Sequence, residues 1–326
     1  MVYVSKSAVF LALSSGTAAF GLAPCPEVTR RDAFLSGCSL ILPMSSYAAS
    51  IPFSGTVNLS GTDIAFPLAS FGLQVYDDQT AYALTLTALQ VGYKNFFASV
   101  LARNQKGFAR AIKDSGTDRK DLFICGSVVS NRASGFQEAY ELTTRGWKQN
   151  MEKFAVGDIT YLDQIMLDYP GPDDASILGQ WKAFQEMHAN GLVRTLSVSN
   201  FCPAQLDCLL QDANTRVKPC VNQLPYSVAY HKDSIEEHTK RGILVQAWAP
   251  LGGSLGGRFN GFMKAKCAAI GKTYNKTGYQ VALRWIVQSG AAFSTQSTKK
   301  EHFIEDLDVF DFELTPHKMS TLSSLA

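Results

Sequence analysis

The chain has 326 residues, of which 46% are hydrophobic, 18% charged and 11% aromatic. This is enough apolar material for a large core and too much for a disordered chain. Thirty Lys and Arg against 28 Asp and Glu give a formal charge of +2, so no nucleic-acid partner is implied, and no apolar run approaches the ~20 residues of a transmembrane span.

The chain begins with two segments that read as addresses. Residues 1–26 contain no Asp or Glu, and Lys6 precedes the short apolar run Ala8–Leu13, followed by small residues through Ala19. Positive, apolar and small in that order is a secretory-type signal. Arg30-Arg31 then precedes a second apolar stretch, Ala33 to Leu42, with small residues around Ser46–Ala49; a twin arginine in that setting resembles a Tat-type export signal. Two addresses in series imply two membranes in series. The junction Ala18-Ala19-Phe20 resembles the plastid presequences of algae with plastids of secondary origin, which places the mature protein in the thylakoid lumen; a single bacterial-style export signal is the alternative. Residues 1–48 are therefore expected to be a bipartite targeting presequence and 49–326 the folded domain.

Beyond this segment lie Cys125, Cys202, Cys208, Cys220 and Cys267. Five is odd and no pair has CxxC spacing, so neither a disulfide framework nor a zinc site is indicated, and no metal site is expected. A hairpin is predicted from Val57-Asn58-Leu59 and Ile64-Ala65-Phe66, with Ser60–Asp63 as its turn. Strand-length apolar runs follow at Phe71-Gly72, 94–97, 122–125, 164–167, 196–199, 220–223, 244–247 and 291–293. Helical segments lie between them, including 79–91, 136–154, 177–190 and 203–213. In 177–190 the positions Ile177, Leu178, Trp181, Phe184 and Met187 form one inward stripe. Repeated strand–helix units demand a parallel sheet with helices outside. Eight such units in about 270 residues fit a single (β/α)8 barrel preceded by a short hairpin; no Pro/Gly/Ser-rich boundary divides the segment. The cluster Gly252–Gly257 matches neither GxGxxG nor a P-loop and reads as a flexible loop after the seventh strand.

Several phrases together resemble one family. Gly92-Tyr93-Lys94, Leu122-Phe123-Ile124, Tyr161-Leu162-Asp163, Ser197–Phe201, Asn222-Gln223, Ala249-Pro250-Leu251, Val281–Trp285 and Phe310–Leu314 stand in the order and spacing of aldo-keto reductases, over roughly residues 55–320. The resemblance implies a barrel that reduces aldehydes and ketones with NADPH stretched across its C-terminal mouth. In that family a tyrosine gives the proton, a lysine paired with an aspartate acidifies the tyrosine, and a histidine orients the carbonyl. An isolated tyrosine, with a pKa of ~10, is a weak acid near neutrality.

Residue by residue, all four positions differ here. Phe97 stands in the aspartate's place, Ala102 in the tyrosine's, Ser127 in the lysine's and Asp168 in the histidine's. Ala102 has no proton to give, and Ser127 carries no charge. The loss of aspartate and lysine together is self-consistent, because either left buried alone would cost several kcal/mol. Tyr93, Tyr169 and Tyr226 lie near strand ends, with no lysine evident beside the best placed, Tyr169. Asp168 would serve as an acid only with a pKa raised by burial. Asp163 matches a structural position of the family. It would lie ~16 Å from Asp168, on the opposite face of one strand.

The cofactor groove is mixed. Ser199, Asn200 and Gln223 match the residues that hold the nicotinamide carboxamide in the family, and Trp248 offers a ring where the family stacks one on the nicotinamide. At the adenosine end Ser297 is kept, as are Glu305 and Asp306, but Gln296 and His302 stand where cations contact the 2′-phosphate. Lys299 and Lys300 are available there, although Thr298–Glu301 also reads as a capping box. NADP binding is thus expected to be weak or lost. His188, His231, His238, His302 and His317 are expected to be surface or capping residues. The sequence points to a reductase-like barrel without the family's proton relay, kept as a binding or auxiliary subunit for a small molecule, a nucleotide or a protein partner such as a thylakoid membrane complex. The alternative is an NADP-dependent oxidoreductase of aldehydes and ketones with a rearranged site.

Overall fold

A computed structural model of the chain describes residues 55–231, 234–252 and 259–326. The expected presequence, its boundary near residue 48, and Gly253–Gly257 of the glycine cluster lie outside the described residues. Thr56–Asn58 (β1) and Ala65–Pro67 (β2) pair antiparallel, with Val57 opposite Phe66. The turn between them is pinned by Thr62, whose hydroxyl donates to the Leu59 carbonyl and accepts from the Ile64 N–H. Asn95 donates to the Pro67 carbonyl at 2.8 Å, and Phe66 meets Phe123 edge-on at 4.9 Å. Asn95 and Phe123 each begin a barrel strand, so the hairpin covers the N-terminal end of the barrel.

Eight strands follow: β3 (Ala69–Gly72), β4 (Asn95–Phe97), β5 (Phe123–Val128), β6 (Leu162–Asp168), β7 (Val193–Ser199), β8 (Val221–Pro225), β9 (Leu244–Trp248) and β10 (Ala292–Thr295). They pair in parallel and in sequence order, and β10 closes the ring against β3. The helices are α1 (Asp78–Val91), α2 (Gln105–Ser115), α3 (Phe136–Phe154), α4 (Asp174–Ala189), α5 (Pro203–Gln211), α6 (Ser234–Thr239), α7 (Gly261–Gly271), α8 (Gly278–Gln288), α9 (Lys300–Leu307) and α10 (Pro316–Ser323). Among the described residues no helix is long and apolar enough to cross a membrane.

Local chemistry sets the helix ends. Asp77 caps α1 by accepting from the Thr80 N–H, and Gly92, at φ 112°, ends it in the left-handed region where a side chain would be strained. Asp173 caps α4 through the Ser176 N–H, which starts that helix three residues before the apolar stripe begins. Ile177, Trp181, Phe184 and Met187 of the stripe are fully buried, whereas Leu178 is only partly so. Burial of side chains this size contributes about 2–3 kcal/mol each. Gly179 lets α4 close on α3, since a Cβ there would lie 2.1 Å from the Phe136 carbonyl oxygen.

Two expectations are corrected. Thr298 makes no cap for α9; Lys299 occupies the cap position without a side-chain bond, and Ser297 instead accepts from the Lys299 N–H. His238 is neither on the surface nor a cap. It is buried between the Ser234 carbonyl and the Asn222 amide, and burial lowers its pKa.

Candidate functional site

Strand alternation decides which side chains enter the barrel. In β5, Gly126 faces the helices, because a Cβ there would touch Phe154 and Leu162. Cys125 and Ser127 therefore face the lumen. Register carries this around the ring: Phe97 pairs with Cys125, Ser127 with Met166, Asp168 with Ser199, Ser199 with Gln223, and Pro225 with Trp248. Phe97, Ser127, Asp168, Ser199, Gln223 and Trp248 thus converge at the C-terminal ends of the strands, the face on which barrels of this type build their sites.

Phe97 packs with Cys125 and Met166 in a small buried apolar cluster separate from the main core. Burial first, and then the neighbouring Cys220, Asp163 and Asp168, push the Cys125 thiol well above its usual range, which makes it inert. The Ser127 hydroxyl is spent on accepting from the Val100 N–H at 3.3 Å. Ala102 sits in the turn between β4 and α2 and offers only a methyl group. Sequence reading missed Cys125 and Met166 as partners of Phe97; their two-residue offsets from Ser127 and Asp168 were the available signal.

On the opposite wall the polar side chains are tied together. The Trp248 Nε1–H donates to Asn200 Oδ1 at 3.2 Å, Asn200 Nδ2 donates to Ser199 Oγ at 2.8 Å, and the Ser199 hydroxyl donates to the Asp168 carboxylate. Every donor in this relay points toward Asp168. Burial nevertheless raises the Asp168 pKa to about 6, with the Ser199 bond opposing the shift. Gln223 Nε2 donates to Gln246 Oε1 at 2.9 Å. Three residues that directly follow barrel strands hold left-handed backbone without being glycine: Tyr169 (φ 73°), Asn200 (φ 63°) and Ala249 (φ 49°). Such positions cost on the order of 1–3 kcal/mol each and cluster where a site is being shaped.

The tyrosines do not supply an acid. Tyr93 is buried with its hydroxyl on Asp306 Oδ2 at 3.2 Å and near Thr295 Oγ1 at 3.3 Å. Tyr226 stacks on Trp285 at 5.4 Å. Burial raises the pKa of Tyr93, Tyr169 and Tyr226, the last to about 12. Asp163 lies on the outer face of β6, as expected, receiving Arg119, Arg194 and the Ile124 N–H.

A nicotinamide cofactor fits one end of this groove only. Ser199, Asn200 and Gln223 present amide and hydroxyl groups suited to a carboxamide, and Trp248 presents a ring. At the other end the Ser297 hydroxyl pairs with His302 Nδ1 at 2.8 Å, Gln296 bonds Gln74, and Glu305 accepts from Thr277. Asp306 is turned inward to Tyr93 rather than toward a ligand. Lys299 and Lys300 are exposed. The residues present do not fit a 2′-phosphate. Among the described residues no group of three His, Cys, Asp or Glu is placed to hold a metal ion.

The eight-stranded ring has counterparts among known proteins. The Aldo/keto reductase family profile matches residues 63–326. The chain belongs to the aldo/keto reductase family. It is 30% identical to the glyoxal reductase of Bacillus subtilis over 259 residues, covering 78% of this chain and 88% of that one. It is 28% identical to a 9,11-endoperoxide prostaglandin H2 reductase of Trypanosoma cruzi over 240 residues, covering 73% and 80% respectively. The crystal structure of an aldo/keto reductase from Brucella melitensis superimposes with a TM-score of 0.73 at 26% identity, over 83% of this chain and 99% of that one. These relatives bear the names of reductases, so the aldo-keto reductase barrel is the frame in which the altered mouth has to be understood.

Proposed function

We propose that this aldo-keto reductase barrel has lost the carbonyl reduction typical of its family and is retained for binding at its mouth. One observation carries the proposal: apolar Phe97, Cys125 and Met166 pack together where the family's charged pair is expected, beside a serine already bonded to backbone. Burial makes Tyr93, Tyr169 and Tyr226 weaker acids than a free phenol. The Trp248–Asn200–Ser199–Asp168 relay and the three strained strand ends support a shaped mouth that still receives a ligand, a small molecule or a nucleotide.

A second reading rests on Asp168. A carboxyl buried at the mouth with a pKa of about 6 is protonated in roughly a tenth of molecules at pH 7 and would donate that proton to the carbonyl oxygen if a bound reduced nicotinamide supplied the hydride, giving an NADP-dependent oxidoreductase with a rearranged site. One titration separates the two. NADPH is added to the purified protein while Trp and nicotinamide fluorescence are followed, and NADPH oxidation is then measured with a panel of aldehydes and ketones. Absence of turnover, with or without cofactor binding, is the expected result. Turnover that disappears in Asp168→Asn would establish the second reading and overturn the first. The proposal extends to location: the paired export signals support a plastid protein of the thylakoid lumen that attaches to a membrane complex there. Sequencing the native N-terminus and sedimenting native membranes test this, and a native protein that retains residues 1–48 would refute it.

A further inference from the structure

On the helix side of β5, away from the lumen, a cavity of about 350 Å³ opens between the β4–α2 turn and α3. That volume is at the small end of the range for ligand pockets. Val100, Leu101, Val128, Val129 and Leu142 contribute apolar walls, and Arg103, Arg145 and Lys153 contribute cations; no acidic residue lines it. Gly146 makes the close approach of α3 possible, since a Cβ there would lie 2.5 Å from Val128 Cγ1.

Among the described residues these cations have no ion-pair partner: Arg103, Lys106, Arg145 and Lys153 take part in none of the ion pairs. Glu141, one turn before Arg145, accepts from Gln137 instead. Burial lowers the Lys153 pKa first, and the positive charges of Arg103 and Lys106 add to the effect. Like charges gathered without partners cost stability. Arg103 lies in left-handed backbone at φ 58°. The adjoining Asn104 is anchored to the Leu73 and Tyr76 carbonyls at 2.6 and 2.8 Å. Beside the cations Leu101 is 51% exposed, so apolar surface and unpaired positive charge face the same space.

We propose that this pocket binds a soluble phosphate-headed amphiphile, its head held by Arg103, Arg145 and Lys153 and its short apolar chain laid against Leu101 and Val128. Three cations match a head that carries nearly two negative charges at neutral pH, and arginine suits phosphate geometry. The apolar walls distinguish such a ligand from a free inorganic ion. The site adjoins the barrel mouth, because Leu101 and Arg103 flank Ala102 in the β4–α2 turn and the Val100 N–H bonds Ser127 Oγ; its cations take no part in the Asp168 relay, so it stands whether or not the mouth turns over a carbonyl.

Calorimetric titration of the full chain with monooctyl phosphate, below its micelle concentration, and with inorganic phosphate tests this. The expected result is saturable one-to-one binding of monooctyl phosphate, at least about tenfold tighter than inorganic phosphate. Arg145→Gln and Lys153→Gln should weaken it about tenfold or more, and Leu101→Ser should weaken the amphiphile but not the inorganic ion. Equal affinity for both ligands, binding unchanged in the arginine and lysine variants, or no saturable binding would each overturn the proposal. Preferential sedimentation with phosphatidic acid vesicles would also overturn it, by making the ligand a bilayer headgroup. A ligand-free readout guards against misfolded variants: Lys153→Gln relieves the repulsion and should raise the melting temperature by about 1–2 °C.

Discussion

Asp168 is the residue on which both readings of the mouth turn, and its energetics are open to measurement. Its folded pKa of about 6 exceeds the ~3.9 of an exposed aspartate. The folded chain therefore binds more protons than the unfolded chain between these values. Stability from this group is fully present below about pH 4 and is lost as the pH rises through 6. Two units correspond to an upper limit of about 3 kcal/mol. Asp306, also raised to about 6 by burial, acts in the same direction. Asp168→Asn keeps an acceptor for Ser199 and removes the buried charge, so it should stabilise the protein at pH 7.5 by about 2 kcal/mol and by much less at pH 4.5. Urea unfolding at the two pH values measures this, and an equal gain at both would mean that the carboxylate is not the source of the cost. A sequence places an aspartate at a strand end, as it did here, but the burial that shifts its pKa is created only when the ring closes.

Strand β6 shows what an element contributes beyond its own hydrogen bonds. Its outward Asp163 receives Arg119 Nη2 at 2.7 Å and Arg194 Nη1 at 3.0 Å, and it accepts from the Ile124 N–H at 2.9 Å. Three consecutive strands are thereby clamped through one carboxylate. Asp163→Ala would leave the Ile124 N–H buried without an acceptor and remove the carboxylate from both arginines, although Arg119 keeps the Leu122 and Tyr161 carbonyls. Breaking a fully buried pair costs about 3–5 kcal/mol. Because Arg194 is about half exposed and screened by solvent, the expected loss is nearer about 3 kcal/mol; Asp163→Asn, which keeps an acceptor, should lose less. Denaturant unfolding gives both numbers, and a loss under about 1 kcal/mol for the alanine variant would refute the clamp. The same strand explains the limits of reading elements from sequence. Apolar runs marked β6 from Gln164 and β7 from Leu196, yet the strands begin at Leu162 and Val193. Asp163, Gln164, Arg194 and Thr195 interrupt the apolar signal at the strand starts, so periodicity shortened both strands. Helix α1, capped by Asp77, was legible to within a residue, whereas α4, capped by Asp173, starts three residues before the apolar stripe that marked it from Ile177. The start of α9 was not legible, because Ser297 and Thr298 offer competing hydroxyls and only the folded chain selects one.

For the whole molecule, the barrel closes whatever its mouth contains, because the ring is held by parallel pairing and by the core beneath the helices, and function sits on the strand ends. Paired loss of charge at the mouth follows from that separation. A family-type aspartate and lysine compensate each other, and either one alone among apolar neighbours carries an unpaired buried charge. Phe97 and Ser127 are placed to test this, since Phe97 pairs with Cys125 two residues before Ser127 on the same face of β5. Phe97→Asp and Ser127→Lys should each destabilise the protein by about 3–5 kcal/mol. The double variant should lose less than the sum by about 1–3 kcal/mol, the coupling expected of side chains in contact. A cycle with no coupling would mean that the two side chains do not face each other across the lumen, and the apolar cluster could then not be read as the replacement of a reductase charge pair. A coupled double variant that still reduces no aldehyde would show that the pair alone is insufficient, as the proposed reading of Ala102 in the donor's place requires.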